Sequence, residues 1–117
     1  MNKAVMILGT LYKIEVGNSN DYPILNDCDG YFDSSVKKIV VSDFADAECD
    51  TDCKEDIEGY QRQVCRHEII HAFLHESGLS NCAGVTSSWA MNEEMVDWFA
   101  IQEPKIHRAF IEAGVYG

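Results

Sequence analysis

Two histidines four residues apart, His67 and His71, with Glu68 directly after the first, constrain this chain more than any other feature. On an α-helix, residues at that spacing lie ~40° apart around the axis and ~6 Å along it. Both imidazoles then reach one ion. Glu68, about 100° further round, addresses a water beside that ion without taking a ligand position. The alternative is a pair of ordinary histidines on an amphipathic helix. Two facts weigh against it. His67, His71 and His75, three of the four histidines, fall in this one segment. Its other sides carry Ile69, Ile70, Ala72, Phe73 and Leu74. Polar side chains in so apolar a helix cost free energy unless they are paired or bind metal.

A catalytic zinc site usually has three protein ligands and one open position, so a third ligand is needed. A metzincin-type continuation requires glycine at position 74 and histidine at position 77, where Leu74 and Ser77 stand. His75 continues the series, but one helix does not easily wrap three successive turns around one ion. It reads as a partly buried or supporting histidine. The better source is Asn92-Glu93-Glu94-Met95-Val96-Asp97. Glu93 and Asp97 share a helical face. Glu93 can complete the ligand set, and Asp97 can accept the free N–H of a ligating imidazole and fix its tautomer. Glu94 is the rival ligand. If neither ligates, both serve as acids favoured at a helix N-terminus.

The surrounding pattern predicts an α+β fold, with strands first and helices after. Val5–Leu8 and Leu11–Val16 read as strands joined by a turn at Gly9-Thr10, forming an antiparallel sheet. Residues 17–30 are rich in Asn, Ser, Asp, Pro and Gly and read as loop. Residues 30–33 form a short strand, and β-branched Lys37–Ser42 a firmer one. After an acidic, irregular Asp43–Asp52, Thr51 or Asp52 caps a helix running from about Lys54 to Ser77 and stopped by Gly78. Ser80–Trp89 is loop. Asn92 caps a second helix to about Gln102, Pro104 breaks it, and Lys105–Ala113 forms a last one. Trp89, Trp98 and Phe99 are expected in the core rather than at an interface. The whole chain, 1–117, reads as one domain.

Apolar residues make up 46% of the chain, enough for a core without staples. Twenty Asp and Glu against nine Lys and Arg give a net charge of −11. That surface repels phosphate backbones and anionic membranes, so neither nucleic acid nor membrane is an expected partner. Cys28, Cys49, Cys53, Cys65 and Cys82 form an odd set without repeated spacing. Met1–Leu8 lacks a small-residue cleavage site, and no apolar run is long enough to span a bilayer. The expected location is a reducing cytoplasm with free thiols. Oligomeric state is left open.

His67-Glu68-x-x-His71 followed by Asn92-Glu93-x-x-x-Asp97 resembles the gluzincins, the thermolysin-like clan of zinc metallopeptidases. The flanks RHEIIHAFLHESGL and NEEMVDWFAIQ, after Trp89, are similar to compact gluzincins of bacteriophages and integrated elements, distant relatives of ImmA/IrrE-type peptidases. The resemblance implies a zincin-like fold and one zinc ion per chain. It implies His67, His71 and Glu93 as ligands, Glu68 as general base and Asp97 as support, acting on a peptide or protein substrate. It also suggests that Lys37–Ser42 pairs with an extended substrate. His75, His107, Tyr60 and Tyr116 are candidates to assist the oxyanion. The rival reading is a catalytically weak or inactive zinc-stabilised module that docks a repressor or host factor. The intact Glu68 argues against it, since a purely structural site needs no base. A DNA-associated protease fits poorly with the charge.

Overall fold

A hairpin starts the chain because Leu8 and Gly9 both adopt positive φ, at 48° and 85°. That is the turn geometry whose twist matches two antiparallel strands. It joins β1 (Lys3–Ile7) to β2 (Thr10–Gly17), with Ile7 opposite Thr10. The turn thus sits one residue earlier than the Gly9-Thr10 expected from sequence. In this computed structural model, residues 3–45, 55–80 and 91–116 are described. The architecture is α+β: a four-stranded mixed sheet followed by two helices, α1 (Ile57–Glu76) and α2 (Glu93–Glu112).

The sheet order is β1-β2-β4-β3, where β3 is Gly30–Asp33 and β4 is Lys38–Ser42. β1/β2 and β3/β4 are antiparallel, but β2 and β4 run parallel, which corrects the antiparallel sheet expected from sequence. The reason lies in β4. Ile39, Val40 and Val41 are all fully buried, and so continuous an apolar run belongs in a sheet's interior. After β2 the chain passes through a short 3₁₀ turn, Pro23–Asn26, and lays down β3 on the outside. It then turns back to place β4 between β2 and β3.

α1 buries two of its sides. Cys65, Ile69 and Ala72 pack on the sheet with Ile7, Tyr12, Ile14, Ile39 and Val41. Ile70 and Leu74, on another side, pack on Met95 and Val96 of α2. The helix is capped by Asp56, whose Oδ1 accepts the Gly59 N–H at 2.9 Å. It therefore begins at Ile57 rather than at Lys54. The cap positions expected from sequence, Thr51 and Asp52, lie outside the described residues. So do Cys49, Cys53, Cys82 and residues 81–89 of the expected loop, Trp89 among them. Gly78, at φ 88°, ends the helix as expected.

Asn92 caps α2, accepting the Met95 N–H at 2.9 Å. The helix then continues through Pro104 to Glu112, which corrects the expected break. Proline has no N–H to offer the carbonyl four residues back. Here that carbonyl belongs to Ala100, and the Arg66 Nε–H of α1 donates to it at 2.6 Å. A side chain from the neighbouring helix thus replaces the lost bond. Trp98 and Phe99 are 53% and 38% exposed, so they do not join the core as expected. The sides of α2 that meet α1 are taken by Val96 and Ala100. Cys28 and Cys65 are free thiols. Among the described residues, no helix is long and apolar enough to cross a membrane.

Glu76, in the last turn of α1, fastens that helix to the sheet. It accepts from Thr10 Oγ1 at 3.1 Å, Tyr12 OH at 2.7 Å and Lys37 Nζ at 2.9 Å. The Tyr12 and Lys37 hydrogen bonds hold its pKa down from 4.5 to about 2. A depressed carboxylate stabilises the fold fully above its unfolded value, and the contribution fades as pH falls through the folded value. Glu76→Gln should therefore lower Tm by several degrees near neutral pH. The gap to the unsubstituted protein should shrink as pH falls from about 4.5 toward 2, as followed by circular dichroism melts.

Candidate metal centre

The sides of α1 left between the sheet and α2 carry Tyr60, Val64, His67, His71 and His75, which recur at intervals of three and four. They form the floor of a cleft of about 690 Å³. Gly30, Tyr31 and Phe32 of β3 line one wall, and Glu93 and Asp97 of α2 line another. Cys28, Asp29 and Met91 also border it.

Glu93 joins the two histidines. Its Oε2 lies 3.0 Å from His67 Nε2 and its Oε1 lies 2.9 Å from His71 Nε2. The two Nε2 atoms are 3.1 Å apart. On the far side of His67, Nδ1 lies 2.6 Å from Asp97 Oδ1. With that Nδ1–H donated to the carboxylate, the Nε2 lone pair faces inward. Two imidazole nitrogens and a carboxylate thus converge on one point. Such a set is repulsive unless a proton or a cation sits among them. Burial, the larger influence, pushes the His71 pKa down against the pull of Glu93. A ring kept neutral by burial is the form of imidazole that can ligate a metal ion. The donor set of two imidazoles and one carboxylate, backed by a carboxylate on the outer nitrogen, is one that zinc accepts.

Glu68 occupies a different position. It lies one step round α1 from the histidine row, on the border with the sheet, and is only 6% exposed. A ligand atom of His67, of Glu68 and of His71 all fall within 4.8 Å of one another. Two carboxylates are therefore near the imidazoles, and their environments separate them. Glu93 touches both Nε2 atoms from an exposed position, its side chain 65% accessible. Burial raises the Glu68 pKa from 4.5 to about 7, with the nearby Glu93 and Asp97 charges adding to the rise and His67 opposing it. A ligand has to be deprotonated. A carboxyl that titrates near neutrality suits proton transfer. Glu93 thus stands as a candidate third donor, and Glu68 as a buried carboxyl beside the two imidazoles. Glu94 is exposed and does not border the cleft.

β3 lies flush on α1 because Gly30 has no side chain. A Cβ there would stand 2.7 Å from Val64 Cγ1, 3.1 Å from the Val40 carbonyl and 3.5 Å from Glu68 Cγ. A larger residue would push the strand off Glu68. Phe32, two residues on, stacks on the His71 ring at 5.7 Å and 5°. It also meets His75 at 6.0 Å. Neither Gly30 nor Phe32 stands out in the sequence. Only the chance that residues 30–33 form a strand points to them, and nothing local says which element that strand will cover.

β4 hydrogen-bonds to β2 on one side and β3 on the other, so Lys37–Ser42 has no free edge for a substrate. Among the described residues, β3, which lines the cleft, is an edge strand with no strand on its outer side. Of the four oxyanion candidates, Tyr60 and His75 border the cleft. Tyr60 donates to Asp29 Oδ2 at 2.6 Å, and that bond with burial raises its pKa to about 12. His107 and Tyr116 meet edge-on at 4.7 Å and do not line the cleft.

Comparison of the chain with family models, curated proteins and solved structures returns no match.

Proposed function

We propose that this protein is a zinc-dependent peptidase of gluzincin type, with His67, His71 and Glu93 holding the metal. The observation that carries the reading is the division between two carboxylates: Glu93 reaches both imidazoles, while Glu68 is buried beside them and poised near neutral pKa. A structural zinc site has no use for the second. Bound zinc supplies Lewis acidity, polarising a carbonyl and acidifying water. Glu68 takes a proton from the attacking water on a carboxylate oxygen and passes it to the leaving amine nitrogen. Asp97 holds the His67 Nδ1 proton and keeps Nε2 a donor to metal. The outer edge of β3, unpaired among the described residues, would offer backbone groups to an extended peptide lying across the histidine row. Of the oxyanion candidates, Tyr60 and His75 border the cleft, and Tyr60 would have to turn its proton from Asp29 to serve.

The test is cleavage of a panel of denatured proteins by zinc-loaded protein, with and without a chelator. Expected are about one zinc per chain and cleavage that stops on chelation and returns with added zinc. Bound zinc with no cleavage of any substrate would favour the docking module instead.

A further inference from the structure

The side of α2 opposite Val96 and Ala100 carries Glu94, Trp98, Ile101, Lys105, Arg108 and Glu112. Their spacing alternates four and three, which on a helix draws them into one stripe, two apolar residues flanked by charged ones. All six are exposed, Trp98 to 53% and Ile101 to 42%. A tryptophan, whose ring meets only that of Phe99 among the described aromatics, and an isoleucine stand at the centre of this stripe with about half of each side chain open to solvent. The charges around them are ordered. Glu94 and Arg108 each stand seven residues from Ile101, on opposite sides, and Lys105 mirrors Trp98 to within one residue.

We infer that α2 pairs antiparallel with α2 of a second copy of this chain, about a two-fold axis at Ile101. In that register Glu94 of each copy meets Arg108 of the other, Lys105 covers the face of Trp98, and the two Ile101 side chains touch at the axis. Parallel pairing would set Glu94 on Glu94 and Arg108 on Arg108, so charge selects the antiparallel arrangement. The net charge of −11 opposes association of two copies. The pairing across the stripe has to outweigh that repulsion, and exchanging the charges isolates its part. The inference stands independently of the proposed activity, since none of these six residues borders the cleft.

Sedimentation velocity on the full chain, up to about 100 µM, reads the result. Expected is a reversible dimer. Glu94→Arg or Arg108→Glu alone should weaken it about tenfold or more, because each substitution turns two symmetric attractions into repulsions. The double exchange should restore it. Unchanged circular dichroism excludes unfolding, since the substituted side chains are exposed. Independently, Ile101→Cys should form a disulfide-linked dimer under mild oxidation, joined through position 101 by peptide mapping. A monomer throughout, a dimer indifferent to single reversals, or a double exchange no better than the single ones would overturn the inference. So would an oxidised dimer joined elsewhere.

Discussion

Glu68→Gln is expected to leave zinc bound and to lower kcat about 10²–10⁴-fold, the usual share of general acid–base catalysis. Glutamine keeps the shape of the side chain, so its close approach to Gly30 should survive. It cannot take a proton from water. The size of the effect follows from position. Glu68 is 6% exposed, and burial places its pKa at about 7, close to the operating pH of a proton shuttle. Zinc content by elemental analysis and kcat on a cleaved substrate are measured together. Undiminished kcat would remove Glu68 from the mechanism. Loss of zinc would make it a ligand, a role its distance from both imidazoles leaves geometrically open.

Glu93→Ala should cost more zinc affinity than the 10–100-fold that loss of a supporting partner typically costs. Glu94→Ala should cost none. Glu93 contacts both Nε2 atoms at 2.9–3.0 Å, whereas Glu94 is exposed and outside the cleft. Removing Glu93 also removes the only carboxylate of α2 that touches both imidazoles among the described residues, leaving two nitrogens 3.1 Å apart to hold the ion. Competition with a calibrated zinc chelator measures both variants. Equal losses, or a larger loss for Glu94, would move the ligand assignment.

The candidate centre was largely legible in sequence because helical periodicity is local. A spacing of four sets His67 beside His71 and Glu93 beside Asp97 whatever surrounds them. Caps are equally local, so Asn92 announces α2 as clearly as Gly78 ends α1. The start of α1 was misplaced because Thr51, Asp52 and Asp56 are all plausible caps, and capping strength does not choose among them. Pro104 misled for a different reason. The penalty of proline in a helix depends on whether another group reaches the freed carbonyl, and Arg66 comes from another helix. Trp98 and Phe99 stay outside the core, against the usual burial of aromatic residues, because among the described elements α2 packs mainly on α1.

From the sequence alone came the helices, their polar rows and the pairs of residues that one turn can bring together. These rest on backbone geometry that repeats every few residues. Which carboxylate meets the imidazoles, which described strand lies outermost beside α1, and how deeply Glu68 is buried were decided only when distant segments packed. β4 took the interior because its apolar run is buried on both faces, and that left β3 at the edge, flush against α1 at Gly30. The environment that raises the Glu68 pKa is made by a strand nearly forty residues away in the chain, and no local pattern encodes it.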